Sequence, residues 1–294
     1  MIQSSQFPYP KGNGQVRWVN PAWLKEHLGD RKLMILDCQP NIHDYIQEHI
    51  PGARYLNEGV FRIADRSLPA IWIKAGCAAE FLGKAGLDPS VPVVVYSGKG
   101  AFKGWGDGLE QTMTAYSLAR YGHNNVFVLD GGIDAWKAEG FPVSRELPKF
   151  RPRQFPVLTR RTYFVRMDRV IAMKDRPDVL LLDARPSAFY EGQGPWIRPG
   201  HIPGSISFPW ANLMLPDNKY ALKPESEIRA MAAASGITPD KTIICSCGTG
   251  REATNEFILF KWFLKYPRVV LFEGAFTEWT AHPGNPIVTG KNPR

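Results

Sequence analysis

The sequence predicts an α/β protein made of two copies of one domain, each a mainly parallel sheet flanked by helices. Three observations carry this expectation. Short apolar, β-branched runs alternate with helical stretches. The same order of elements occurs twice. Across one stretch the repeat keeps its register, with Gly86 and Gly236, and Ser97 and Cys247, each 150 residues apart.

Taken in order, residues 18–29 read as a short amphipathic helix with Asn20 as N-cap, Pro21 at the first helical position and Gly29 at its end. Residues 33–38 form a strand ending in an acid, followed by His49-Ile50-Pro51-Gly52. Residues 78–85 are helical and stop at Gly86, and 93–97 are a second strand. A glycine-rich loop and a helix over 112–121 come next, then a strand over 126–129, Gly131-Gly132 and a helix ending near Trp136. The second half repeats this order. Residues 179–185 match the first strand, His201-Ile202-Pro203-Gly204 matches the earlier His-Ile-Pro-Gly, and 269–275 followed by Trp279 match 126–132 followed by Trp136.

A chain of 294 residues suits two domains of ordinary size. The boundary is expected near residue 150, giving domains over 1–150 and 151–294. It lies within a Pro- and Arg-rich run, 141–157, that favours an extended connection. No apolar run approaches the roughly 18 residues of a membrane span. The first 14 residues are polar and lack the apolar core of a signal peptide, so a cytoplasmic location is the default and a processed form stays open. The net charge of +8 and the basic residues from Lys149 to Arg169 would suit nucleic acid. No nucleic-acid-binding signature accompanies them, and a solvated basic linker is the favoured reading. Cys38 and Cys77 sit in apolar contexts expected to be core. Cys245 is expected to be buried, and no disulfide framework or metal set is indicated.

The stretch that carries chemistry is Cys247-Gly248-Thr249-Gly250-Arg251-Glu252-Ala253. It joins a buried strand to a helix over 253–262. A loop of this kind gathers backbone N–H groups into a concavity, and the helix N-terminus adds partial positive charge. A cysteine there should ionise more readily than a free thiol. Gly248 and Gly250 allow positive φ and close backbone approach. The bland alternative is a buried cysteine before a glycine turn. The repeat weighs against it, because the first copy carries Ser97 at the matching position.

Leu-Asp-x-Arg, Gly-His-Ile-Pro-Gly-Ser, the strand followed by Cys-Gly-x-Gly-x-x-Ala, and Glu-Gly-Ala-Phe-x-x-Trp together resemble the rhodanese-like sulfurtransferases. The tandem arrangement is similar to thiosulfate and 3-mercaptopyruvate sulfurtransferases, and the resemblance spans about residues 15–290. His-Ile-Pro-Gly occurs twice, its histidine 48 residues before Ser97 and 46 before Cys247. The resemblance implies an inactive first copy and a nucleophile, Cys247, in the second. It implies that Cys247 takes the outer sulfur of a small anionic donor, forms a persulfide and passes it to cyanide or a thiol, with no metal or cofactor. Arg185, at a strand end, is implied as a substrate contact. Arg251 and Arg198 are further candidates, and Gly248, Thr249, Gly250 and Glu252 complete the donor site. Asp183, His201 and Glu273 read as structural.

The loop departs from both family patterns. Thiosulfate-using members often carry basic residues where this chain has Gly248 and Thr249. Mercaptopyruvate-using members resemble Cys-Gly-Ser-Gly-Val-Thr. Thr249 keeps a hydroxyl at the serine position and Arg251 restores a charge; Arg185 with Arg251 suits a compact dianion, so thiosulfate is the expected donor, with 3-mercaptopyruvate as the alternative. Glu252 has no account from sequence. A phosphatase would need its arginine at position 253, which is Ala253; a non-catalytic sulfur carrier is the remaining alternative. The tandem arrangement makes a monomer the expectation, and neither nucleic acid nor membrane is an expected partner.

Overall fold

Uninterrupted β-branched runs cannot leave one face in water, so they belong in a parallel sheet covered on both sides. The computed structural model describes residues 9–30, 32–102 and 106–294 and bears this out. Its strands are β1 (Val16–Val19), β2 (Met34–Asp37), β3 (Arg54–Tyr55), β4 (Arg62–Asp65), β5 (Leu68–Trp72), β6 (Val93–Tyr96), β7 (Val126–Leu129), β8 (Phe164–Val165), β9 (Val179–Asp183), β10 (Ser205–Ser207), β11 (Thr242–Ser246) and β12 (Val269–Phe272). Its α-helices are α1 (Pro21–Glu26), α2 (Ile42–Gln47), α3 (Ala75–Lys84), α4 (Glu110–Arg120), α5 (Gly132–Ala138), α6 (Met167–Met173), α7 (Glu225–Ala234), α8 (Glu252–Ile258) and α9 (Ala275–Ala281).

The chain forms two compact units. The first contains a five-stranded parallel sheet in the order β1-β7-β6-β2-β3. The second contains another in the order β10-β9-β11-β12-β8. The units are not continuous in sequence. Residues 62–73, the antiparallel β4–β5 hairpin, belong to the second unit, and residues 217–222 belong to the first. The main passage between units falls at Arg160–Arg161 and not near residue 150. The reason is local: the Pro-rich run stays bonded to the first unit. Arg153 N–H donates to the Gly83 carbonyl, Leu158 N–H to that of Tyr121 and Arg160 N–H to that of Arg120. The Arg160 guanidinium also reaches the His123 carbonyl at 2.9 Å, just beyond the C-terminal end of α4.

The repeat extends into the cores. Ile35, Val94, Leu129, Ile133 and Trp136 in the first unit match Leu181, Ile244, Phe272, Phe276 and Trp279 in the second, all buried. Both tryptophans close the same turn: Trp136 Nε1 donates to the Pro142 carbonyl and Trp279 Nε1 to that of Pro286, each at 2.8 Å.

Several local expectations change. Asn20 does cap α1, its Oδ1 accepting the Trp23 N–H at 2.9 Å, but Trp18 lies in β1. Cys77 is exposed, on the face of α3 opposite its buried Ala78 and Leu82. The helix after the Cys247 loop is α-helical only to Ile258 and widens into a π-type turn over Leu259–Phe263. Part of the glycine-rich loop after the second strand, Trp105 included, lies outside the described residues. No helix among the described residues is long and apolar enough to cross a membrane.

Candidate active site

Strand β11 ends at Ser246, and Cys247 opens the loop to α8 with no exposed surface. Its Sγ accepts the Gly250 N–H at 3.1 Å. The N–H groups of Thr249 and Ala253 and the carboxylate of Glu252 also act on the sulfur. Burial, and then the neighbouring Glu252 charge, push the thiol well above its usual range, while the N–H groups of Ala253 and Thr249 pull it down. The expectation of an easily ionised cysteine is therefore reversed in this state. The gathered N–H groups are present, but the sulfur is wholly withdrawn from water beside a carboxylate.

The loop is held from one side by the start of α9. The Cys247 carbonyl accepts the Phe276 N–H at 2.8 Å, and the Gly248 carbonyl accepts the Thr277 N–H at 3.0 Å. Thr277 Oγ1 donates to that same Gly248 carbonyl at 2.7 Å and accepts from Trp196 Nε1 at 2.9 Å. Trp196 lies across the loop, so a Cβ at position 248 would come within 2.6 Å of its ring. Gly248 is thus required by packing, not by backbone conformation. Gly250 is required by conformation: its φ is +85°, and a Cβ there would also meet the Glu273 carbonyl at 2.9 Å.

Arg185 is both an ion-pair partner and a loop neighbour. It is fully buried, with Nε 2.8 Å from Asp183 Oδ1, and Nη2 2.5 Å from Asp183 Oδ2 and 2.8 Å from the Gly200 carbonyl. The guanidinium lies 4.1 Å from the Phe276 ring centroid and 4.8 Å from that of Trp196. Its Nη1 is buried without a hydrogen-bond partner. Its Cδ is 3.6 Å from where a Gly248 Cβ would stand, which places the cation beside the sulfur loop.

The other expected residues divide. Thr249 and Glu252 lie in the loop and at the first position of α8. Arg251 is the N-cap residue of α8, half-buried, and its carbonyl accepts the Thr254 hydroxyl at 2.7 Å. Arg198 is directed elsewhere: its guanidinium donates to the carbonyls of Thr280, His282, Pro283 and Asn285 around the C-terminal end of α9. His201 is fully buried, stacked on Tyr190 at 3.6 Å, with its ring nitrogens 2.8 Å from the Tyr190 carbonyl and 3.1 Å from that of Asn292. His49 repeats this arrangement between the carbonyls of Tyr45 and Glu146, so both histidines fix the chain rather than face a reactant. Among the described residues no group of three or more His, Cys, Asp or Glu side chains could hold a metal ion.

Three contributors had no signal in the sequence: Trp196, Thr277 and Arg62. Arg62, on β4 of the same unit, donates through Nη1 to the Thr249 carbonyl at 2.8 Å and to Thr249 Oγ1 at 3.2 Å.

The Rhodanese-like domain matches the chain twice, over residues 20–139 and 167–282. A Synechococcus elongatus protein carrying a provisional thiosulfate sulfurtransferase name is 38% identical over 285 residues, spanning 94% of this chain and 86% of that one. The sulfur carrier protein TtuD of Thermus thermophilus is 30% identical over 290 residues, spanning 93% and 96%. The solved structure of SseA from Escherichia coli, described as a 3-mercaptopyruvate sulfotransferase of rhodanese fold, superposes with a TM-score of 0.77 at 25% identity. It covers 88% of this chain and 98% of its own.

Proposed function

The chain belongs to the rhodanese-like family as a tandem sulfurtransferase, and on that premise we propose that its second copy moves the outer sulfur of thiosulfate through a persulfide on Cys247. The observation that carries this reading is the pairing of a sulfur ringed by backbone N–H groups with the buried, incompletely bonded guanidinium of Arg185 beside the same loop. The N–H groups suit a persulfide anion, and the guanidinium suits a compact dianion.

Glu252 now has a role. As Cys247 attacks, its proton passes to the Glu252 carboxylate and a bond forms to the outer sulfur of thiosulfate. The donor's S–S bond breaks with its electron pair on sulfite. Total charge is unchanged: a thiol, a carboxylate and a dianion become a carboxylic acid, a persulfide anion and sulfite. Cyanide or a thiolate then takes the terminal sulfur. The electron pair returns to Cys247, which recovers its proton from Glu252. Arg251, at the N-cap of α8, adds positive charge on the donor side. Arg198 takes no part, since its donors serve the end of α9.

Thr249 keeps a hydroxyl at the position where mercaptopyruvate-using relatives resemble serine, and this supports 3-mercaptopyruvate as the second reading. Single-turnover sulfur loading followed by intact mass, with each donor and between pH 6 and 9, separates the two. Thiosulfate should load faster. Glu252→Gln should move thiol ionisation to lower pH, by removing a neighbouring negative charge, yet slow loading at neutral pH by about tenfold or more through loss of the proton acceptor. Faster loading in that variant would reduce Glu252 to an opposing charge, and faster loading from 3-mercaptopyruvate would reverse the donor assignment.

A further inference from the structure

Arg62 lies 187 residues before Thr249 in sequence, on a hairpin that belongs to the second unit, and its Nη1 reaches the Thr249 carbonyl at 2.8 Å. That carbonyl and the Gly250 N–H belong to one peptide group. In a planar trans peptide the two point in opposite directions. A donor fixed on the oxygen therefore aims the N–H the other way, and the Gly250 N–H indeed meets Cys247 Sγ at 3.1 Å. The contacts form a line: guanidinium, carbonyl oxygen, amide N–H, sulfur. A charged donor on the carbonyl also draws electron density toward oxygen and makes the amide proton a better donor, as in any chain of polarised hydrogen bonds. Gly250, at φ +85°, is the residue that lets the loop turn so that this peptide lies between the two groups.

We propose that Arg62 is a positioning residue of the sulfur-transfer site, which orients and polarises the Thr249–Gly250 peptide so that its N–H holds the Cys247 sulfur as it becomes an anion. The role rests on the sulfur-transfer reading for its consequence in turnover, but not for its effect on the thiol. Arg62 bonds the loop at Thr249 and not the sulfur itself. The hairpin of β4 and β5 has no counterpart among the described strands of the second copy, and through Arg62 it brings a cation behind the nucleophile's loop. The second contact, from Nη1 to Thr249 Oγ1 at 3.2 Å, is longer and does not pass through the peptide.

The test compares full-length Arg62→Ala, Arg62→Lys and Thr249→Val with wild type. Alkylation of Cys247 by iodoacetamide is followed against pH by peptide mass mapping, alongside single-turnover loading from thiosulfate and thermal melting. In Arg62→Ala the alkylation midpoint should rise by about one pH unit, and loading at fixed pH should slow about tenfold, the loss expected for one charge-assisted hydrogen bond. Arg62→Lys, which keeps a charged donor, should fall between the two and serves if the alanine variant does not fold. Thr249→Val, which keeps the carbonyl, should displace the alkylation midpoint less than Arg62→Ala does, whatever its own effect on donor loading. A wild-type alkylation profile in both folded Arg62 variants would overturn the proposal, as would a Thr249→Val profile displaced as far as that of Arg62→Ala. If wild type takes no sulfur from any donor but the alkylation shift is present, the sulfur-transfer reading fails and the role of Arg62 stands.

Discussion

The two copies place the same acid in the same frame and surround it differently. Asp37 in the first copy and Asp183 in the second end β2 and β9, each one strand in from a sheet edge, and both accept the N–H of the residue two places on. In the first copy that residue is Gln39, whose side-chain amide donates to Asp37 Oδ2 at 2.9 Å. In the second it is Arg185, which makes the equivalent bond to Asp183 Oδ2 at 2.5 Å and adds another from Nε to Oδ1. The bonding pattern is preserved and the charge is not. The next strand inward shows the same contrast. The Ser97 carbonyl accepts the Ile133 N–H at 2.9 Å as the Cys247 carbonyl accepts that of Phe276 at 2.8 Å, so the backbone is repeated while sulfur is replaced by oxygen. Where the copies agree, as in the two stacked, carbonyl-bonded histidines, the residues hold the fold. Where they differ, at 39/185 and 97/247, stand the residues to which we assign the chemistry.

The most informative way to break this comparison is to give the second copy the first copy's residue. Arg185→Gln should keep the bonds to Asp183, and so most of the melting temperature, while KM for thiosulfate rises by about tenfold to a hundredfold through loss of the buried charge. Equal losses in melting temperature and in activity would make Arg185 a strut and nothing more. A smaller effect sharpens the other half of the comparison. Asp37 has no arginine or lysine bonded to it among the described residues, and burial raises its carboxyl to about 6, against the opposing bonds from Tyr96 and Gln39 and the nearby His49. A group raised on folding lends stability at low pH that is lost as the pH climbs through its folded value. Melting followed from pH 4 to 7 should therefore show Asp37→Asn gaining on wild type as the pH rises, by on the order of 2 kcal/mol across that window. A constant difference between variant and wild type would mean that Asp37 is ionised throughout.

Much of the fold was legible because parallel strands buried on both faces must be continuously apolar, and β2, β6, β7, β9, β11 and β12 all carry that signature. The edge strands β3, β8 and β10 have two or three residues each, too short for a pattern to declare itself. The passage at 160 rather than near 150 depends on backbone bonds of the Pro-rich run, and the places of residues 62–73 and 217–222 on packing, neither of which is marked along the chain. At the site, Cys247, Gly250 and Arg185 could be read from motif and repeat. Gly248 was found for the wrong reason, since the ring of Trp196 fixes it and that ring comes from 52 residues earlier. The raised thiol was not legible at all, because desolvation depends on what covers the sulfur. Arg62 and Thr277 act through backbone carbonyls, which any sequence possesses, so no residue pattern marks them.

The central claim is that one cysteine of four carries the transferred sulfur. Peptide mass mapping of the full chain after thiosulfate, before and after cyanide, tests it directly, because Cys77 is exposed while Cys38, Cys245 and Cys247 are buried. One added sulfur atom is expected on the peptide containing Cys247, removed by cyanide and absent in Cys247→Ser. Sulfur found on exposed Cys77 instead, or retained in the Cys247→Ser variant, would contradict it.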